Sequence, residues 1–365
     1  MKSLKTILYG GLILSSLSLQ ASLPPLEDLP LKEALQSTFH TDHYTVEKTF
    51  HDGFSGAHLY KIEVLGKVYV ARFIPHKSQE SAQIEIDWLT HAEKYGGPKI
   101  YYANVAQRII LLEFIPQKAY PAHLSDKNII EFGEKLRKLH GDPSLKTHDL
   151  FNKIFTLAAS ISLPKSFFGN KILNDLLQAM PELQSLFLHT GVSLSHGDLH
   201  QNNLLFTGEE FRMIDWESAG LQDPFVDLSG MADFVIMDDS KNDLFLKSYF
   251  GRDPTPEEKA HLYLMQVVNL FLNTLRTLKH LPEAAQFNIT PAEFEHLISY
   301  SQMAYAFFHE GKNKDVPFLT KLVWAMFKEA HEKIKNPTFK EAIRLLKEEQ
   351  EQEIKKILHT KVRFG

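Results

Sequence analysis

Between residues 194 and 206 the chain reads Leu-Ser-His-Gly-Asp-Leu-His-Gln-Asn-Asn-Leu-Leu-Phe, so that His196, Asp198 and Asn203 form the pattern H-x-D-x-x-x-x-N. Twelve residues after Asn203 comes a second carboxylate, Asp215, within Phe-Arg-Met-Ile-Asp-Trp-Glu. Phosphoryl transfer calls for such parts: one carboxylate orients an acceptor hydroxyl and takes its proton, while an amide and another carboxylate hold Mg²⁺ against the phosphates. A loop that spaces the first carboxylate and the amide, then a hairpin that returns the second carboxylate, brings three oxygen donors together. His196 and His200 stand four apart and could hint at zinc, but zinc needs a third protein ligand, and in a loop helical spacing carries no meaning.

These groups need elements to position them, and the pattern of the chain changes near residue 115. Residues 44–50, 57–64 and 66–73 read as short strands rich in Val, Tyr, Ile and Phe, broken by Asp52-Gly53 and Leu65-Gly66. Gln79–Tyr95 reads as one amphipathic helix with Ile84, Trp88, Leu89 and Ala92 on a face, stopped by Gly96-Gly97-Pro98. Lys99–Ala103 and Arg108–Phe114 are two further strands. From Ser125 onward a period near 3.6 predicts helices over 129–140, 148–160, 171–188, 256–280, 291–309, 316–335 and 339–359. The Glu/Lys-rich stretch Lys347–Lys356 alternates sign as a solvated helix face does.

In its two motifs the chain resembles the aminoglycoside phosphotransferase and choline kinase family. His196-Gly197-Asp198-Leu199-His200…Asn203 looks like that family's catalytic loop, and Ile214-Asp215-Trp216-Glu217 like its metal-binding turn. The run from Ile214 through Asp227-Leu228 is similar to the choline and ethanolamine kinase branch. The resemblance spans roughly residues 45–310 and implies a protein-kinase-like α+β fold of two lobes, a small strand-rich N-lobe and a large, mostly helical C-lobe. It implies Asp198 as catalytic base, Asn203 and Asp215 as Mg²⁺ ligands, His196 as a loop-bracing residue and Asp227 as a structural carboxylate. Glu217, just past the metal turn, is the best single candidate for touching the acceptor.

The N-terminal strands supply what a kinase-like small lobe requires: a loop over the phosphates, a cation on the third strand, and an acid on the helix to place it. Ser55 and Gly56 lie in the turn between the first two strands. Arg72 stands where many kinases carry Lys, as is common in the choline kinase branch, and its guanidinium can fork two bonds onto phosphate. Glu85, mid-helix, is the expected partner, with Glu80 as runner-up. Leu111–Pro116 resembles the family's linker between lobes, whose backbone at Glu113 and Ile115 would bind adenine. The aromatic residues of the C-terminal helices, among them Tyr263, Phe271, Tyr300, Tyr305, Trp324 and Phe327, fit a hydrophobic core better than a cation cage.

Composition narrows the field. Of 365 residues, 44% are hydrophobic and 23% charged, which excludes disordered and fibrous classes. A net charge of -5 gives no general grip on nucleic acid or anionic membrane. Cysteine is absent, which removes disulfides, thiol nucleophiles and Cys-ligated metals. Lys2 and Lys5, an apolar run over 7–19, and Gln20-Ala21-Ser22 read as a secretory signal, the run being too short for a membrane span of about 20 residues.

The expected organisation is a leader over 1–21, an extension over 22–43, an N-lobe over 44–115 and a C-lobe over 116–365, with the catalytic loop at 194–206 and the metal turn at 212–228. The expected activity is transfer of the γ-phosphate of ATP, with Mg²⁺, to a hydroxyl of a small molecule such as choline or ethanolamine. Alternatives are an aminoglycoside or other small-molecule kinase, or an exported non-catalytic nucleotide-binding effector. The leader points to export and ATP use to the cytoplasm. Partners beyond a small-molecule acceptor are not indicated.

Overall fold

The computed structural model describes residues 30–50, 57–74, 78–121, 123–141, 150–161, 167–188, 190–282, 287–309 and 316–363. The leader over 1–21 and the phosphate-loop candidates Ser55 and Gly56 lie outside them. The chain forms two compact units, one of Met1–Pro121 with Asp198–Ala219, the other of Ala122–Gly197 with Gly220–Gly365. The segment that bears Asp198, Asn203 and Asp215 thus groups with the strand-rich unit, whereas the sequence places everything after 116 together.

In the first unit, strands β1 (Thr45–Phe50), β2 (His58–Val64), β3 (Lys67–Phe73), β4 (Ile100–Asn104) and β5 (Ile109–Glu113) form an antiparallel sheet of order β1-β2-β3-β5-β4. Each lies within a residue or so of its predicted span. Leu65 and Gly66, both with positive φ, make the two-residue turn between β2 and β3, as the right-handed twist of a hairpin demands. Period-two alternation puts Tyr60, Ile62 and Val64, then Tyr69, Ala71 and Phe73, then Ile109 and Leu111 on one face, all buried together. Helix α1 (Leu31–Phe39) covers that face with Leu31, Ala34 and Leu35, each fully buried. Residues 22–43, set apart in sequence as an extension, therefore contribute a helix to the core of this unit. The other face of β3 carries Val70 and Arg72, also buried.

Helix α2 (Gln79–Ala92) begins where the Ser78 hydroxyl accepts the Ser81 amide. It ends in a 3₁₀ turn over Glu93–Tyr95 and a left-handed Gly96. Two three-residue strands, β7 (Leu204–Phe206) and β8 (Phe211–Met213), form the hairpin between the motifs.

The second unit contains α3 (Asp126–His140), α4 (Leu150–Ser160), α5 (Gly169–Phe187), the strand pair β6 (Ser193–Ser195) and β9 (Gly220–Gln222), α6 (Phe225–Met231), α7 (Asn242–Phe250), α8 (Pro256–His280), α9 (Pro291–Glu295), α10 (Tyr300–His309), α11 (Val316–Lys335) and α12 (Pro337–Arg363). Helix α8 starts on a capping box, Thr255 with Glu258, with Pro256 at its first position. It is buried along most of its length, and Phe271, Trp324 and Phe327 are core, as their helical spacing predicts. The single helix expected over 291–309 is two. Ser299 and Gln302 cap α10 reciprocally, and Lys328 Nζ takes the Glu295 and Leu297 carbonyls left at the break. Gly133 lets α3 meet α7, since a Cβ there would stand 2.8 Å from the Tyr249 amide nitrogen. No helix among the described residues is long and apolar enough to cross a membrane.

Truncating a fully buried leucine in α1 tests whether this helix belongs to the core. Leu35→Ala should destabilise the protein by about 3 kcal/mol through the cavity it leaves, read from chemical denaturation. A change of a few tenths would make α1 an appendage.

Candidate active site

Strand alternation sends Arg72 to the face opposite Ala71 and Phe73, and the register of α2 brings Glu85 beneath it. Arg72 Nε donates to Glu85 Oε1 at 2.7 Å, and both residues are buried. Glu80, the other candidate, lies exposed on the far side of the helix. The terminal Nη2 of Arg72 lies 3.9 Å from Asp215 Oδ1 and 4.0 Å from Glu217 Oε2. Burial pushes the guanidinium pKa down, but Glu85, Asp215 and Glu217 together outweigh it, and Arg72 stays above its ordinary value. Glu217, expected near the acceptor, thus belongs to the electrostatic group around Arg72.

Asp215 takes a left-handed backbone, φ 62° and ψ 63°, a conformation Asp tolerates better than most residues. It opens a short 3₁₀ turn, Trp216–Ser218, anchored by the fully buried Trp216, whose indole N–H donates to the Met213 carbonyl. The Ile214 amide donates to the Asn203 carbonyl at 2.9 Å, which ties the two motifs backbone to backbone. Asn203 is fully buried. Its Nδ2 donates to the Asp198 carbonyl at 2.9 Å, which fixes the amide's orientation. Asn203 Oδ1 and Asp215 Oδ1 are both buried and have no hydrogen-bond partner among the described residues. Burial pushes the Asp215 carboxyl up to about 6, Arg72 opposes this, and Glu217, Asp198 and Glu85 add to it. The Asp198 carboxylate is partly exposed and stands 3.7 Å from His200 Nε2.

Two orphaned oxygens beside a cluster with more carboxylates than cations are suited to a hard divalent cation. Mg²⁺ takes few protein oxygens and completes its shell with phosphate and water, so an amide and a carboxylate suffice. Among the described residues, no group of three or more His, Asp and Glu is arranged to hold an ion.

Arg212 escaped the sequence reading. Its Nε donates to the Gly96 carbonyl at 2.8 Å, and Nη2 donates to Gly97 O at 2.8 Å and to Glu113 Oε2 at 3.0 Å. One guanidinium thus joins β8, the end of α2 and the end of β5, and only the β7–β8 pairing reveals it. The Glu113 amide already donates to the Lys99 carbonyl at 2.8 Å, which leaves at most its carbonyl for an adenine. Ile115 is buried with Leu205 and Ile214.

In the helical unit, Asp227 is fully buried and its carboxylate accepts the amides of His196 at 2.7 Å and Gly197 at 2.8 Å. These are the two peptide groups before Asp198. His140 Nε2 lies 3.2 Å from the same carboxylate. A second buried carboxylate, Asp233, was also missed. Its Oδ1 accepts from Gln266 Nε2 at 2.7 Å, Oδ2 has no partner among the described residues, and burial raises its pKa well above the usual range despite the opposing effect of Lys333. It sits where α6 continues into a π turn over Ala232–Ile236.

Two measurements test this electrostatic arrangement. Breaking the buried pair with Glu85→Ala should cost about 3 kcal/mol of stability, and a double-mutant cycle with Arg72→Ala should return at least about 1 kcal/mol of coupling; additive losses would refute the pairing. The raised Asp215 carboxyl has a pH signature. Unfolded, it releases its proton near its ordinary value of about 3.9, yet folded it keeps that proton to about 6. Native stability therefore falls as pH rises between those values and stays lower above them. Asp215→Asn, which cannot ionise, should stabilise the protein by about 3 kcal/mol near pH 7.5 and leave it unchanged near pH 3.5. Equal shifts at both pH values would place the effect elsewhere.

Residues 48–258 match the family described as the APH phosphotransferase enzyme family. No curated protein matches the chain. Among solved structures, the chain is similar to a choline/ethanolamine kinase family protein from Mesorhizobium loti, at 17% identity and TM-score 0.58, over 83% of this chain and 92% of that one. It is also similar to a choline kinase from Cryptosporidium parvum, at 13% identity and TM-score 0.55, over 88% and 96%. A choline kinase from Streptococcus pneumoniae matches at 15% identity and TM-score 0.54, over 77% and 96%. These likenesses establish the kinase-like fold, with its small antiparallel sheet and largely helical remainder. Since the match covers more than half of its length, the chain belongs to the phosphotransferase enzyme family, APH.

Proposed function

We propose that the protein transfers the γ-phosphoryl group of ATP to a hydroxyl of a small amino alcohol, of the class of choline or ethanolamine. The observation that carries this reading is the two buried, unpartnered oxygens, Asn203 Oδ1 and Asp215 Oδ1, the latter 3.9 Å from Arg72 Nη2. Asn203 and Asp215 would hold Mg²⁺, which when bound neutralises charge on the phosphates. Arg72, placed by Glu85, directs a fixed positive charge at the same phosphates. Asp198, partly exposed and oriented by a loop whose two preceding amides are clamped on Asp227, accepts the proton of the acceptor hydroxyl as its oxygen attacks phosphorus.

The acceptor class rests on Arg72 in place of Lys, on the choline-kinase-like run from Ile214 to Leu228, and on the similarity of the fold to choline and ethanolamine kinases.

The test is ATP consumption by the full chain, with Mg²⁺, against choline, ethanolamine, aminoglycosides and sugars. Amino alcohols should give saturable turnover. Asp198→Asn should lower that turnover by about 10²–10⁴-fold with nucleotide affinity retained. Turnover near wild type in this variant would remove Asp198 from the role of base, and activity only with aminoglycosides or sugars would reassign the acceptor.

A further inference from the structure

Within the helical unit lies a cavity of about 420 Å³, in the range of small-molecule sites. Leu186, Phe225 and Leu346 give it apolar walls, and Glu257, Glu349 and Glu353 supply carboxylates. Glu349 and Glu353 stand one turn apart on α12, and Glu257 lies in the first turn of α8. The other acids of the lining are committed. Glu258 is paired with Arg252, and Asp223 accepts from the Thr190 hydroxyl and the Phe225 amide and lies 2.8 Å from His261 Nε2. No cation among the described residues pairs with Glu257, Glu349 or Glu353. Burial, then Glu257 and Glu353, raise the Glu349 carboxyl; His261, also in the lining, opposes them in part, and a bound cation would relieve the rest.

A second observation is independent of the acids. Ser193, nine-tenths buried, lines the same cavity, and its hydroxyl has no hydrogen-bond partner among the described residues. Such an unpartnered group is costly unless something else satisfies it. Three carboxylates from two helices, apolar walls and a spare hydroxyl together fit a hydrocarbon chain bearing more than one ammonium group. A hydrated metal ion would gain nothing from the apolar walls.

The cavity also adjoins the brace of the catalytic loop. Tyr249 and His140 both line it. Tyr249 Oη lies 2.8 Å from His140 Nδ1, and His140 Nε2 lies 3.2 Å from Asp227 Oδ2. A carboxylate only accepts, so Nε2 carries the proton toward Asp227 and Nδ1 accepts from the tyrosine hydroxyl. Burial, followed by Asp227, Asp223 and Glu258, pushes the Tyr249 pKa up, which keeps it a neutral donor. Asp227 in turn holds the His196 and Gly197 amides.

We propose that this cavity binds an aliphatic polyamine, with its ammonium groups against Glu257, Glu349 and Glu353, and that occupancy is transmitted through Tyr249, His140 and Asp227 to the peptide groups of His196 and Gly197.

The test titrates the full chain with spermidine at constant ionic strength by calorimetry, with amide hydrogen exchange followed over the segment containing His196 and Gly197. Saturable binding at one site is expected, weakened on the order of tenfold or more in Glu349→Gln/Glu353→Gln. Should that double variant fold poorly, Glu257→Gln, on another helix, must weaken binding as well. Exchange at His196 and Gly197 should slow at saturation, and Tyr249→Phe should abolish that response while still binding spermidine. Heat reproduced by MgCl₂ at the same ionic strength, absence of saturable binding, or affinity indifferent to the glutamate variants would overturn the site. Unchanged exchange at saturation would overturn the transmission.

Discussion

One buried positive charge organises the strand-rich unit. Arg72 is fixed at Nε by Glu85 and faces Asp215 and Glu217 with its outer nitrogen. Removing a guanidinium from water is costly, and several carboxylates in concert are what hold it there. The cost is not fully settled on the acid side. Asp215 keeps a raised pKa, and one of its oxygens is left without a donor. A site held short of positive charge is one that gains when a divalent cation arrives, and that imbalance supports the proposed phosphotransfer.

The helical unit has its own fixed point in Asp227, which is fully buried and accepts two consecutive amides. Accepting from backbone rather than side chain makes the position of the loop a property of the main chain, insensitive to the rotamers around it. The strand pair β6–β9 delivers His196 to this carboxylate, and Gly197 takes the positive φ that lets two successive N–H groups converge on it.

How much of this could be read from sequence depended on whether the signal was local. Helix α8 has its predicted limits because Thr255, Pro256 and Glu258 announce its start within four residues. Arg72 and Glu85 were legible because the resemblance asks for a cation on the third strand and an acid on the following helix, and both elements have local signals; the helix register that decides between Glu85 and Glu80 came only with the fold. Where burial is complete, periodicity vanishes: residues 225–236 are buried on every side, so α6 and the turn after it carry no amphipathic signal. Helix α1 is short and follows Pro30, and its apolar residues gain meaning only against a sheet formed later in the chain. Arg212 looks like any strand arginine until β7 pairs with β8 and aims it at Gly96, Gly97 and Glu113.

The grouping of Asp198–Ala219 with the first 121 residues means that this unit is not contiguous along the chain. During synthesis the sheet and α2 emerge first, with Arg72 and Glu85 formed but the acids at 215 and 217 still to come. Residues 122–197 must leave the ribosome before Arg212 can tie down Gly96 and Gly97. The last stabilising contacts of the first-made unit therefore have high sequence separation, which slows their formation. Nascent chains stopped before residue 198 would hold Arg72 against Glu85 alone, without Asp215 and Glu217, so completion of this charge cluster is timed by translation of the intervening residues.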